Sequence, residues 1–260
     1  MKFLVLGSLD VHCDGGPADL GGVKQRAVLG YLVVNANHVV PTSRILRALW
    51  DGPPPSTARK MVQNAVSSIR RMLAAQPGHE PPASLVTSAP GYQLRVDPEA
   101  VDLFEFRRRV QQGRAALAAG STAAGARALR EALALWRGRA LADLVETGTD
   151  WSELAAIEDE RLTAYEDFFD AQLSRGRHRE ITPQLEVLMA SEPMRERLCR
   201  QFMLALYRSG RQAEALDVYR RTRTAFVEGL GIEPGRGLQE LQHMILKHDL
   251  AIQVPVGASS

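Results

Sequence analysis

Apolar positions change their spacing along the chain, and each change marks an element. Val and Leu are dense from Phe3 to Val11, and Gly-Gly-Pro at 15–17 punctuates the run. This predicts two or more short strands within Lys2 to Gly22. From Val23 to Asn35 the positions Ala27, Val28, Tyr31, Leu32 and Val34 fit a helix. Leu29 and Val33 make it apolar nearly all round, so it is expected to be largely buried. His38-Val39-Val40 reads as a short strand before Pro41. Thr42 then precedes Ile45, Leu46, Leu49 and Trp50, the place of an N-cap for a second helix. Asp51-Gly-Pro-Pro-Pro stops that helix, because successive prolines remove the donors it needs.

The stretch Ser56 to Leu73 follows. Val62, Val66, Ile69 and Leu73 recur at helical spacing with Ala58 and Ala65 beside them, giving one apolar face. At about 100° per residue, Lys60, Asn64, Ser67 and Arg71 fall opposite, with Arg59, Gln63 and Arg70 towards one flank. Gln76-Pro-Gly-His-Glu-Pro-Pro reads as a loop, and Leu85 to Val96 as two strands turning at Pro90-Gly91. The order of strands, three helices and hairpin matches a winged helix-turn-helix, whose third helix enters the DNA major groove.

Charge sharpens that reading. Between Leu20 and His79 the only acidic residue is Asp51. Met1 to Asp97 holds 10 Lys+Arg against 6 Asp+Glu, while the remainder holds 22 against 24, so the total of +2 hides a basic first part. Basic, amide and hydroxyl side chains on one helix face suit both phosphates and base edges. Arg59, Lys60, Gln63, Asn64, Ser67, Arg70 and Arg71 are therefore the candidate DNA-contacting residues; which meet bases and which meet phosphates is left open. A weaker group, for the DNA backbone, comprises Lys24, Arg26, Thr42, Ser43, Arg44, Tyr92 and Arg95. Thr42 and Ser43 could donate to phosphate at a helix N-terminus or serve as caps only. Tyr92 is expected to pack the hairpin.

From Asp102 onward the chain reads as helical. Gly120, Gly176 and Gly210 are each followed at +5, +9 and +12 by Gly125, Leu129 and Ala132; Ile181, Leu185 and Leu188; Ala215, Tyr219 and Thr222. The last two glycines lie 34 residues apart, the period of a tetratricopeptide (TPR) helical hairpin. The interval from Gly120 to Gly176 is 22 longer, and Trp136 to Trp151 is assigned most of that insertion. The fold expected is an α+β winged helix-turn-helix over 1–97, an all-α TPR-like domain over 98–252 and a flexible tail over 253–260.

Several segments resemble one family. Val-Lys-Gln-Arg-Ala-Val-Leu-Gly-Tyr-Leu (23–32), Ala-Leu-Trp-Asp-Gly-Pro-Pro-Pro (48–55), the helix at 58–73 and Ala-Pro-Gly-Tyr-Gln-Leu (89–94) are similar to the streptomycete antibiotic regulatory proteins. Val-Asp-Leu-Phe-Glu-Phe (101–106) and Glu-Gly-Leu-Gly-Ile-Glu-Pro (228–234) continue the likeness. The resemblance implies an OmpR-like winged helix joined to a bacterial transcriptional activation domain. It further implies binding to directly repeated promoter sites, self-association on double-stranded DNA, contact with RNA polymerase holoenzyme, and antibiotic or other secondary-metabolite genes as targets.

The polar helix face could simply be solvated, in a TPR-like scaffold that binds protein only, or the winged helix could serve a repressor. Arg107-Arg-Arg109 sits downstream of Glu99, Asp102 and Glu105, so salt bridging is expected there, and Trp50, Trp136 and Trp151 are expected as core or interface anchors. Glu158-Asp-Glu160, Asp167 and Asp170 are assigned to a solvated helix surface. No G-x-x-x-x-G-K-S/T loop, H-E-x-x-H or G-x-S-x-G element occurs, so no enzyme, catalytic residue or cofactor is expected. Cys13 and Cys199 form no C-x-x-C pair and the six histidines show no metal spacing. No receiver-like segment is expected before the winged helix, and so no control by aspartyl phosphorylation within this chain. The opening apolar run is too short for a signal peptide and no segment is long enough for a membrane span, so a cytoplasmic, nucleoid-associated location is expected.

Overall fold

The computed structural model describes residues 1–13, 15–74 and 83–249. The expected loop at 76–82 and tail at 253–260 lie outside them. The chain forms two compact units, Met1–Gln111 with Arg130–Leu162, and Gln112–Leu129 with Thr163–Ser260.

The first unit opens on three short antiparallel strands, β1 (Lys2–Leu4), β2 (Asp10–Cys13) and β3 (Gly16–Pro17), in the order β1-β2-β3. Helices α1 (Val23–Val34), α2 (Thr42–Leu49) and α3 (Ala58–Ala74) follow, with β4 (Val40–Pro41) between the first two. β5 (Ala83–Ser88) and β6 (Gly91–Val96) form the hairpin, and the second sheet runs β4-β6-β5. α1 is buried continuously from Ala27 to Val33, as its all-round apolarity requires. α3 buries Ala58, Val62, Ala65, Val66, Ile69 and Leu73, the stripe read from sequence. Each large aliphatic there contributes about 1.5–3 kcal/mol. Gly91 at the start of β6 admits no side chain: a Cβ there would lie 1.9 Å from the Val40 carbonyl oxygen. The winged helix-turn-helix is thus present.

The same unit extends beyond the winged helix. After a 3-10 turn at Pro98–Ala100 comes α4 (Asp102–Ala118), and Asp102 accepts from the Val5 and Leu6 amides at 2.9 and 3.1 Å. Burial pushes the Asp102 carboxyl upward against the pull of those two amides and Arg137. After α5 (Thr122–Leu133), most of which belongs to the second unit, the first unit resumes in the stretch that the repeat spacing marks as an insertion, which contains the short α6 (Ala142–Val145) and ends where α7 (Ser152–Ser174) begins. It is a strap on the winged helix. Arg137 and Leu141 donate backbone N–H to Leu6 and Val5 carbonyls at 2.7 and 3.0 Å. Leu141 and Leu144 abut Gly30 so closely that a Cβ there would meet them at 3.2 and 3.0 Å.

The second unit is helical, with α8 (His178–Ser191), α9 (Glu196–Arg208), α10 (Gln212–Leu230) and α11 (Arg236–Leu246). Gly120, Gly176 and Gly210 have φ of +77°, +71° and +79°, and each ends a helix in one way. The residue after each glycine donates its N–H five residues back: Ser121 to Ala116, Arg177 to Gln172, Arg211 to Leu206. This is the Schellman cap, and a left-handed residue without Cβ strain is its requirement. Leu129, Ile181, Leu185, Ala215, Tyr219 and Thr222 of the repeated pattern are buried, while Leu188 is half-buried. α4 and α5 pack through Gly113 and Gly125, where added Cβ atoms would fall 2.8 Å from Leu129 and 2.6 Å from Leu117. The TPR-like helical hairpins are present.

The acidic clusters are more than a solvated surface. Asp167 and Asp170 clamp Arg197 at 2.8 Å each, and Asp167 also holds Arg114 at 2.7 Å. Glu160 binds both arms of Arg107, and Glu105 binds Arg108 and Arg109, so the arginine triplet is salt-bridged. Trp136 and Trp151 are buried. Among the described residues no helix is long and apolar enough to cross a membrane.

Candidate nucleic-acid interface

The exposed side of α3 carries Arg59, Lys60, Gln63, Asn64, Ser67 and Arg71. They share that side because their spacing is the complement of the buried stripe. Arg59, Lys60 and Arg71 have no ion pair among the described residues, and the first turn of α3 holds no acid. Ser67 donates its hydroxyl to the Gln63 carbonyl at 2.9 Å and keeps its lone pairs outward. Asn64, Ser67, Ser68 and Arg71 line a shallow depression of about 460 Å³ with Lys24 and Gln25 from the start of α1. Met61 and Ala65 complete that lining, so cations, an amide and hydroxyls converge on a shallow surface with apolar ground between them, and it is the cations that suit a polyanion.

Arg70 is different. Its guanidinium is turned onto β5, donating from Nε to the Leu85 carbonyl and from Nη2 to the Thr87 hydroxyl, both at 2.8 Å. One residue of helical rotation separates it from exposed Arg71.

The weaker, backbone-contact group divides as sharply. Arg26 is committed to the strap: Nε lies 3.1 Å from Asp143, Nη2 makes a shorter bond to the same carboxylate, and Nη2 also reaches the Leu9 carbonyl. Asp143 in turn accepts from the Leu9 amide at 2.7 Å. Arg44 lies 2.6 Å from Glu153 and over the Tyr31 ring. Both arginines are thereby ion-paired within the fold, although Arg44 stays exposed. Lys24 is exposed yet donates to the Leu49 carbonyl at 2.7 Å and covers the Trp50 ring.

Thr42 corrects an expectation: Pro41 occupies the N-cap position of α2 and no side chain caps that helix. Its hydroxyl instead faces the Pro90 carbonyl at 3.4 Å. Ser43 is exposed beside it. On the hairpin Tyr92 is half-buried, whereas Arg95 is exposed and bonded to Gln93 at 3.0 Å.

Sequence reasoning missed the polar anchors at the end of the strap and in the first turn of α7. Glu153 accepts from the Tyr31 hydroxyl at 2.9 Å as well as from Arg44. Burial and that carboxylate push the Tyr31 phenol up to about 12. Burial acts to raise Glu153, but its own amide, the Tyr31 hydroxyl and Arg44 outweigh it and hold the carboxyl below the usual glutamate range. Trp151 stacks edge-on to Tyr31 with centroids 4.8 Å apart and donates its indole N–H to the Ala48 carbonyl at 2.8 Å. The only signal of this in the sequence is the extra length between Gly120 and Gly176.

Comparison with known proteins agrees with this architecture. Residues 20–94 match the model for "Transcriptional regulatory protein, C terminal", and residues 101–246 match "Bacterial transcriptional activator domain". The regulatory protein DnrI of Streptomyces peucetius is 37% identical over 100% of this chain and 98% of its own length. The chain belongs to the streptomycete antibiotic regulatory protein family. It is accordingly a transcriptional regulator, and the relatives are named as regulators, not enzymes. Another relative, the transcriptional regulatory protein EmbR of Mycobacterium tuberculosis, is 36% identical across 95% of this chain but 63% of its own length. A solved structure of EmbR in complex with a low affinity phosphopeptide superposes with a TM-score of 0.86 at 35% identity, covering 98% of this chain and 66% of that one. This family member therefore spans almost all of DnrI and a part of EmbR.

Proposed function

We propose that this regulator is a sequence-specific DNA-binding activator whose α3 lies in the major groove of directly repeated promoter sites. The carrying observation is a contrast among its cations. Arg59, Lys60 and Arg71 have no ion pair among the described residues, while Arg26 and Arg44 of the same unit are neutralised by carboxylates. Unpaired cations beside Asn64, Gln63 and Ser67 provide phosphate contacts and edge-reading groups together. Subunits bind side by side on one face of the DNA, and the helical unit contacts RNA polymerase holoenzyme. Regulation is by recruitment, in the cytoplasm on the nucleoid, at genes of antibiotic or other secondary-metabolite biosynthesis.

A footprint on the neighbouring promoter, repeated across a salt series, tests the reading. Affinity should fall log-linearly with salt, with a slope of roughly −0.9 for each phosphate contacted. Equal affinity for promoter and bulk competitor at moderate salt would sink it. Transcription reconstituted with polymerase should rise on adding the protein; a fall, with the site over the transcription start, would make it a repressor.

A further inference from the structure

We propose that Arg70 is a positioning residue that locks the hairpin wing to the recognition helix, so that both engage DNA as one rigid body. The inference rests on the DNA-binding reading above. It assigns Arg70 a role distinct from that of Arg59, Lys60 and Arg71, beside which its sequence places it.

Two grips hold the wing. On one flank β4 pairs with β6, Val40 opposite Tyr92 and Pro41 opposite Gly91, and the Thr42 amide donates to the Pro90 carbonyl at 3.3 Å. On the other flank β5 is the edge strand of the β4-β6-β5 sheet, so its outer carbonyls have no strand to bond. The hydrophobic hold on β5 ends early: Ala83 and Leu85 are buried, Val86 is half-buried and Thr87 is exposed. Arg70 spans that transition. Its planar fork takes the Leu85 carbonyl with Nε and the Thr87 hydroxyl with Nη2, both at 2.8 Å. Two donors fixed in one plane set the height and angle of the outer strand, which a single flexible ammonium does not do. Because Arg70 is half-buried between α3 and β5, its charge is directed inward, away from the exposed face that carries Arg71.

The test compares the full-length native protein with Arg70→Ala, Arg70→Lys and Thr87→Val by hydroxyl-radical footprinting and by salt-dependent binding to the same promoter fragment. Thr87→Val keeps the side-chain shape and strand preference while removing one acceptor, so it folds even where Arg70→Ala does not. We expect Arg70→Lys and Thr87→Val both to lose protection at the wing-side positions while keeping it under α3. Affinity should fall about threefold to tenfold, the range of one ordinary hydrogen bond's net contribution. Any fall in the salt slope should accompany the loss of wing protection, since Arg70 itself contacts no phosphate. A native-like footprint in Arg70→Lys with a slope reduced by about 0.9 in Arg70→Ala would make Arg70 a phosphate ligand and overturn the proposal. Full wing protection in all three variants would also overturn it, leaving the clamp structural only. Absence of any native footprint would bring down the DNA-binding reading itself, an outcome distinct from both.

Discussion

Two faces of the first unit carry arginines, and the two groups have opposite fates. On the α1–α2 face, Arg26 and Arg44 meet Asp143 and Glu153, which lie 117 and 109 residues further along the chain. On the α3 face, Arg59, Lys60 and Arg71 meet no acid among the described residues. Both faces belong to the same acid-poor stretch of sequence, so composition does not separate them. What separates them is the strap between α5 and α7 with the first turn of α7, which cover one face with Asp143, Leu144, Trp151 and Glu153 and, among the described residues, pair with none of the other's cationic set. A basic surface is thus turned into an internal joint on one side and kept available on the other. Partial burial strengthens the joint, since Coulomb attraction and hydrogen bonds gain where water is excluded.

The contrast can be broken in order of expected effect. Trp151→Ala removes a buried ring and its hydrogen bond to Ala48, and should destabilise the first unit by about 3–5 kcal/mol in urea unfolding. The salt slope of promoter binding by the remaining folded protein should be unchanged; an unaltered unfolding midpoint would show that the strap does not hold the winged helix. Arg71→Ala should act in reverse, costing about 1–3 kcal/mol of promoter affinity if it contacts a base, with native thermal stability. Asn64→Ala should relax preference at a single base position in a binding-site selection, and unchanged selections for both variants would turn α3 away from the groove. Arg44→Ala should lower the melting temperature by the equivalent of about 1 kcal/mol or less, and leave the salt slope intact. A slope shallower by about 0.9 would place Arg44 on a phosphate and dissolve the contrast.

The smallest effect is a pH dependence. Glu153 is held below its ordinary range in the folded protein, so the unfolded chain takes up its proton first as pH falls. Its contribution is full above about pH 4.5, the unfolded value, and is lost as pH drops through the lower folded value. Melting curves of the native protein and Glu153→Gln should differ near neutrality and converge in acid. A difference that widened on acidification would contradict the assigned sign.

Much of the fold was legible in the residues because short-range rules decide it. The buried stripe of α3 is its 3.6-residue apolar period, and the three glycine caps of the helical unit follow from one repeated spacing. The candidate face was legible for the same reason: what is not on the stripe is outside. The N-cap was not, because Thr42 is drawn to the Pro90 carbonyl, contributed by a turn 48 residues later. Arg70 could not be told from Arg71 by residue type; the neighbouring strand captures the first and leaves the second in solvent. The strap was legible only as surplus length, since most of its 22 extra residues have no period and its partners are more than a hundred residues away.

By itself, then, the sequence determined the order of the elements, the acid-free polar face of α3 and the helical repeat, because backbone preferences and side-chain periodicity act within a few residues. Only the tertiary structure decided which cations are paired with carboxylates or carbonyls and which are left exposed. Ion pairs and hydrogen bonds form within about 3–4 Å in space and take no account of separation along the chain. Asp143, Glu153, Leu85 and Thr87 become the partners of Arg26, Arg44 and Arg70 when the fold brings them there, and Arg59, Lys60 and Arg71 are the cations of α3 that it leaves exposed.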